Sequence, residues 1–387
     1  MKKILVVGWL LAVQLASATL AFAAESDVDR LLEFLIKEKV LTQEKATEFR
    51  ADLAVKKQEE KETQKEFIVI AGKPIKISGY TQVRYQNDKS KNDAFDIRRA
   101  RLDLRGDITE RWDYRTQIDF AGGTTSSTTG AQSYSVKLLD AIIGYKVNPY
   151  LKLSIGQQKI PFSQENLASS PKLETINRSQ VVEALTARGT DVIGNQNGRD
   201  IGIQASGSIL PAKAGYNLFD YAFGIFNGAG INSGDTNEQK DFVGRLVYHP
   251  LQDWSIGTSY YSGRYTLSSA PARKDDRDRI GAEFAYVHDP ISLKAEYIKG
   301  NDGAINKDGW YLQAGYFFIP KKFQGVFKFD TYDPNTKLKK NETNVYTIGG
   351  NWYFNKWAFL QVNYELKDER GKEIDNNALI GQLTLQF

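Results

Sequence analysis

Arginine recurs at alternate positions between Arg99 and Asp107: Arg99, Arg101 and Arg105 share their parity with Asp103 and Asp107. Alternate residues of a β-strand line one face, so this spacing builds a charged wall. Arg84 and Arg115, in the flanking stretches, add to it. A guanidinium presents a planar fork of donors that can hold phosphate or carboxylate oxygens by paired hydrogen bonds. A wall of such forks is suited to attract and guide small anions. The aspartates leave a second reading open: Asp103, Asp107, Asp113 and Asp119 are near enough in sequence to neutralise the arginines as an internal salt-bridge lattice. By the same alternation Lys152, Arg245, Lys294 and Lys328 join the candidate basic positions of later stretches.

Catalytic chemistry finds less support. Nucleophilic catalysis needs a nucleophile and a base side by side. The two histidines, His249 and His288, both sit at Pro turns, and cysteine is absent. Serine–lysine or carboxylate sites stay open as an alternative, but an enzyme is not expected. The sequence shows no metal-ligand cluster, no phosphate-binding glycine loop and no nucleic-acid motif. No cofactor, metal or nucleic-acid partner is therefore expected.

The elements that must hold these arginines are strands. From Ile75 onward the apolar period is two: Ile75, Ile77, Gly79, Thr81, Val83 and Tyr85 alternate with Lys76, Ser78, Tyr80, Gln82, Arg84 and Gln86. The pattern predicts strands at 75–87, 95–108, 112–121, 137–147, 151–158, 199–210, 216–226, 242–249, 254–265, 279–287, 291–299, 309–319, 323–332, 344–354, 357–367 and 378–387. These are sixteen, an even number, at about the length a tilted strand needs to cross a bilayer. Their connections alternate between short turns such as Thr109-Glu110-Arg111 and Asn355-Lys356 and longer polar loops such as 122–136, 227–241, 266–278 and 300–308. Short turns on one rim and long loops on the other suit a membrane barrel, as do Trp112, Trp254, Trp310, Trp352 and Trp357 near strand ends. A soluble β-protein would need a second layer over each apolar face, and no helices are available to supply it. The expected fold is all-β: a sixteen-stranded antiparallel transmembrane β-barrel spanning 67–387, with a short N-terminal helical, coiled-coil segment.

The longest connection, Lys159 to Gly198, is expected to be functional. It carries Lys159, Lys172, Arg178 and Arg188 with Glu165, Glu174 and Glu183, and a candidate short helix at Arg178–Thr186. Folded inward it would set pore size and field; folded outward it would be a surface loop.

The ends bear on the compartment. Lys2 and Lys3, an apolar run from Ile4 to Val13 and the Ala21-Phe22-Ala23 site read as a secretory signal peptide at 1–23. Residues 24–66 follow a helical period through Val28, Leu31, Leu32, Leu35 and Ile36, with Thr42 as an N-cap for a second segment. A short periplasmic coiled coil supporting a trimer is one reading; a single helix resting on the barrel mouth is the other. In the last stretch Leu379, Gly381, Leu383, Leu385 and Phe387 share one face, and Gln382, Thr384 and Gln386 the other, with Ile380 the apolar exception. It resembles the terminal sorting signal of Gram-negative outer-membrane proteins. The net charge is +4, and the balance after residue 66 is positive. In a pore lining that sign favours anions; on the outside it would face lipopolysaccharide.

A run of motifs adds a resemblance. Phe95-Asp-Ile-Arg-Arg-Ala-Arg-Leu102, Trp112-Asp-Tyr114, Gln117 to Ala121, Leu139 to Tyr145, Gly156-Gln157, Pro161 to Glu165 and Gly198 to Gln204 stand in an order that resembles the phosphate-selective porin O and P family. The resemblance implies a trimeric sixteen-stranded outer-membrane porin, in which arginines and lysines guide small anions to a constriction. Arg98 and Arg99 match its paired arginines. As neighbours on a regular strand they point to opposite faces, which gives Arg99 to the lumen and leaves Arg98 for the rim. Phosphate-specific members show a ladder of arginines, whereas the later strands here hold only scattered ones, such as Arg199, Arg245 and Arg264. A general, weakly selective pore therefore stands beside the anion pore, and a structural tether through the N-terminal helix beside both.

Overall fold

The computed structural model describes residues 73–90, 93–123, 133–212, 214–235, 237–267, 273–372 and 374–387, together with 68–70 and scattered positions between 32 and 50. The signal peptide at 1–23 and the helical segment at 24–66 lie almost wholly outside them. A three-residue strand, β1 (Ile68–Ile70), precedes sixteen long ones. These are β2 (Lys73–Asp88), β3 (Ala94–Asp107), β4 (Trp112–Asp119), β5 (Lys137–Asn148), β6 (Leu151–Lys159), β7 (Arg199–Pro211), β8 (Asn217–Phe226) and β9 (Asp241–Tyr248). They continue as β10 (Trp254–Leu267), β11 (Arg273–His288), β12 (Ile291–Asp302), β13 (Ile305–Ile319), β14 (Phe323–Asp333), β15 (Thr343–Tyr353), β16 (Ala358–Glu369) and β17 (Ala378–Gln386).

Each of the sixteen pairs antiparallel with its sequence neighbours, and β17 closes on β2 from Ala378↔Asp88 to Gln386↔Tyr80. Closure satisfies every edge, which a sheet surrounded by lipid requires. Two expected loops are shorter than the sequence pattern suggests. Pairing of β10 with β11 continues to Leu267↔Arg273, and that of β12 with β13 to Asp302↔Ile305. The polar residues there belong to hairpins rather than to free loops, because backbone pairing can continue where the apolar alternation stops.

The burial pattern is inside out. Ile203, Phe223 and Leu385 are 53%, 57% and 56% exposed, while Gln382, Thr384 and Asn351 are at most 2% exposed. Water would oppose that arrangement; hydrocarbon outside and a polar interior favour it. Trp112, Trp254, Trp352 and Trp357 are exposed near strand ends, whereas Trp310 is exposed further inside β13, because that strand starts earlier than its apolar alternation. The tail alternation is seen as expected, and its exception has a cause: Ile380 faces inward and packs with Ala378 and Ile176 of the long loop.

That loop folds into the barrel, so the outward reading is set aside. It carries α1 (Gln164–Leu167), a 3-10 turn (Ser170–Lys172) and α2 (Gln180–Leu185). Val181, Val182, Ala184 and Leu185 of α2 pack with Phe162 against Phe226, Val243, Tyr261, Ile298 and Tyr311 of the inner wall. Full burial of a Val or Leu side chain stabilises by roughly 1.5–3 kcal/mol, so α2 is held where the wall is apolar. Polar ties flank it. The Glu165 N–H donates to Glu296 at 2.8 Å, the Ile176 N–H to Asn363 at 2.7 Å, and the Gln180 N–H to Asp330 at 3.1 Å. Arg277 donates to both Asp191 oxygens, at 3.2 and 3.0 Å, in a fully buried pair.

Candidate anion-binding constriction

The loop packs on the wall from β8 to β17 and faces the β2–β4 wall across a cavity. The arginine row of β3 lies on that facing wall. Its register with β2 runs Gln82↔Arg99 and then Val83↔Ile97, which leaves Arg98 as the extra residue of a β-bulge. A bulge adds a residue without advancing the partner strand and re-aims side chains. Both arginines of the pair therefore face inward. Arg98 Nη1 reaches Gln382 Oε1 at 3.5 Å and Arg99 Nη1 reaches Gln82 Oε1 at 2.9 Å. The regular-strand expectation that Arg98 turns to the rim is corrected by this irregularity.

Between this wall and the loop lies a cavity of about 440 Å³. Arg101, Arg105 and Arg115 line it from the wall, Lys159 and Arg199 from the ends of β6 and β7, and Lys172, Arg178 and Arg188 from the loop. Asp103 is the acidic side chain among the lining residues. The salt-bridge lattice is real for part of the set. Arg101 Nε donates to Asp119 at 2.7 Å, and Arg105 and Arg115 share Asp103 at 2.8 and 2.6 Å. Asp140 receives Arg199 at 2.6 Å and Arg115 at 3.1 Å.

The rest is not neutralised. Among the described residues, Arg98, Arg99 and Arg178 have no carboxylate within ion-pair distance. Lys159 spends its ammonium on the carbonyls of Asn166, Leu167 and Ala168 at 2.9–3.0 Å, where the C-terminal end of α1 favours a cation. Arg178 donates to the carbonyls of Glu165 and Ala168 at 3.0 and 2.9 Å, but its buried Nη1 has no partner. A buried donor left unmade costs roughly 1–3 kcal/mol, more when charged. Burial, then the neighbouring Arg188 and Arg99, push the Arg178 guanidinium well below its ordinary pKa. A site with surplus buried cations and an unused donor gains by receiving an anion.

The other candidates are placed elsewhere. Arg84 pairs with Asp96 outside the cavity. Lys152 donates to Asp113 at 2.7 Å near the short-turn rim, and Arg245 is paired with Glu283 on the β9–β11 wall. Lys294, paired with Glu174 at 3.2 Å, and Lys328, donating to the Asn177 carbonyl at 2.7 Å, anchor the loop instead of lining the cavity. Tyr80, which accepts from Arg101 at 2.9 Å, and Asp140 carry parts of the site that alternation alone did not single out. His249 and His288 are tied to Asp220 and Asp253 at 2.9 and 2.8 Å. Ser208 donates to Asp220, not to the imidazole, so a serine–base contact is not formed there.

A closed sixteen-stranded barrel, apolar outside and polar inside, narrowed by an inward loop, defines a porin-type outer-membrane channel. The profile of the phosphate-selective porin O and P family matches residues 76–273 and 259–387, and the chain belongs to that family. An uncharacterized protein of Aquifex aeolicus (strain VF5) is 25% identical over 96% of this chain and 98% of its own length. The anion-selective porin of Comamonas acidovorans shares the fold at 15% identity and a TM-score of 0.58, over 81% of this chain and 100% of that one. The outer-membrane channel DcaP of Acinetobacter baumannii does so at 14% identity and a TM-score of 0.55, over 83% and 99%.

Proposed function

We propose that this protein is a passive outer-membrane channel for small anions, phosphate among them. Its selectivity is set where the β3 arginines face the inward loop. The observation that carries the reading is the cationic cavity, with Arg178 in its lining and Arg98 and Arg99 on the same wall free of carboxylate partners among the described residues. The steps are electrostatic. A positive lumen concentrates anions at its entrance. Planar guanidiniums then replace part of the anion's water shell. Arg101, Arg105 and Arg115, already paired with aspartates, offer weaker holds further along the wall. Conduction needs capture strong enough to admit an ion and weak enough to let it go. A general, weakly selective pore is the competing outcome, favoured by the aspartates on the same wall.

The reading extends to assembly. The signal at 1–23 would be removed on export, and 24–66 would form a periplasmic coiled coil beneath a homotrimer. The apolar outer faces would meet outer-membrane lipid and lipopolysaccharide. One structural neighbour, the in-vitro folded OmpT of Vibrio cholerae, is described in a trimer form, which supports the trimer. The test of the channel is the reversal potential of the purified protein in a planar bilayer under a KCl gradient, repeated with phosphate. Anion selectivity with chloride current blocked by phosphate is expected. Cation selectivity, or no block, would refute the anion pathway.

A further inference from the structure

Resting on that reading, one carboxylate of the loop stands out. We propose that Glu183 is a specificity-determining residue: its carboxylate competes with the transiting anion for Arg188, and so speeds release from the constriction. Glu183 lies on α2, whose neighbours Val181, Val182, Ala184 and Leu185 are buried against the wall. Its own side chain points away from that packing and is 32% exposed. It accepts from Arg188 Nε at 3.3 Å and from the Gly189 N–H at 2.8 Å.

Among the described residues, Arg188 is otherwise committed only to Asn166 Oδ1, at 3.0 Å. The fork that would hold an anion is thus already partly filled by a residue of the protein. Burial alone would raise the Glu183 pKa. Arg188, Arg178, the Gly189 N–H and Arg98 outweigh it and hold the value at about 2. The carboxylate is therefore a permanent negative charge at neutral pH.

Its chemistry suits a competitor better than a structural tie. Asp103, Asp119 and Asp140 sit on strands, are at most 4% exposed and pair with the strand arginines Arg101, Arg105, Arg115 and Arg199. Glu183 stands on the loop, is reached by water, and holds Arg188, for which no wall carboxylate lies within ion-pair distance among the described residues. An incoming anion must displace or share these contacts. The loss of capture strength is what allows exit, as a conducting site requires.

The test compares Glu183→Gln with the native channel in a planar bilayer. The amide keeps the length and an acceptor for the Gly189 N–H. The phosphate concentration that half-blocks chloride current is expected to fall roughly tenfold, on the scale of one close charge lost from a partly screened site. Phosphate flux at saturation should fall as release slows. Glu183→Asp, which keeps the charge, should stay within about twofold of native on the same electrostatic argument. An unchanged or raised half-blocking concentration in Glu183→Gln would overturn the proposal. So would an equal change in both variants, which would make geometry the cause. If native current is not blocked by phosphate at all, the channel reading and this inference fall together. If native current is blocked, and Arg99→Gln relieves the block while Glu183→Gln changes nothing, only this inference fails.

Discussion

Two walls of the same lumen carry many charges and do opposite things with them. On the β2–β4 wall, Arg98 and Arg99 face the lumen with, among the described residues, amide partners only. On the β11–β14 wall, beneath the loop, Arg277 meets Asp191 and Arg279 meets Asp302 at 2.6 Å, all at most 5% exposed. Lys328 and Lys294 are likewise committed to the loop. The first wall keeps cations available to solutes; the second uses them to fasten a lid of apolar residues. Lumen-facing charge is therefore not a measure of selectivity. What decides is whether the charge is already neutralised and whether water reaches it.

The largest effect should come from breaking the fastening. Asp191→Ala leaves Arg277 buried without its main partner. Removing one member of a buried pair costs about 3–5 kcal/mol. The barrel itself should persist, since its closure rests on backbone pairing. The loop should detach, raising single-channel conductance and current noise and exposing the 160–198 segment to protease. Unchanged conductance would mean that the α2 core alone holds the loop.

Next in size is the solute-facing wall. The double variant Arg98→Gln/Arg99→Gln removes two charges that have no carboxylate within ion-pair distance among the described residues. The anion-to-cation permeability ratio should drop roughly tenfold, more at low salt than at high, because screening already weakens exposed charges at high ionic strength. Thermal stability should stay near native, since no ion pair is broken. Single Arg178→Gln should act more weakly, as its Nη1 is the only unpartnered nitrogen of that guanidinium. A severalfold rise in the half-blocking phosphate concentration is expected on the scale of one charged hydrogen bond. No change would place the anion path on the wall alone.

The sequence made the scaffold readable for a physical reason. Lipid outside and water inside force every strand into strict alternation, so residues 75–387 carry a pattern that needs no tertiary knowledge. The inward loop was also readable, from its length, its charges and the α2 residues. The site itself was only half readable. Arg99, Arg101 and Arg105 followed from parity. Arg98 did not, because a bulge depends on register against β2 and not on local sequence. Asp140 could not be assigned to Arg199 and Arg115 by proximity, since its partners come from β4 and β7. Lys294 and Lys328 looked like pore residues because parity reports the face, not what the loop later covers. Ile380 was visible as an exception to the alternation, and its meaning appeared only when Ile176 arrived beside it.

The smallest expected effect is the sharpest check on the contrast between the walls. Arg245 faces inward like Arg99 and is equally cationic, yet Glu283 holds it through both guanidinium and carboxylate forks. Arg245→Gln removes a charge whose field is already cancelled nearby. It should change the reversal potential little, by less than about twofold in permeability ratio, because a close ion pair acts at distance only as a dipole. It should also leave phosphate block unaltered, since the Arg245 guanidinium is already held by Glu283. The matching change Glu283→Gln should act in the opposite sense, freeing Arg245 and nudging the pore toward anions. If Arg245→Gln instead cost as much selectivity as the Arg98/Arg99 pair, net lumen charge rather than unpaired charge would govern the channel. The distinction between a solute-facing wall and a loop-fastening wall would then fail as an account of selectivity.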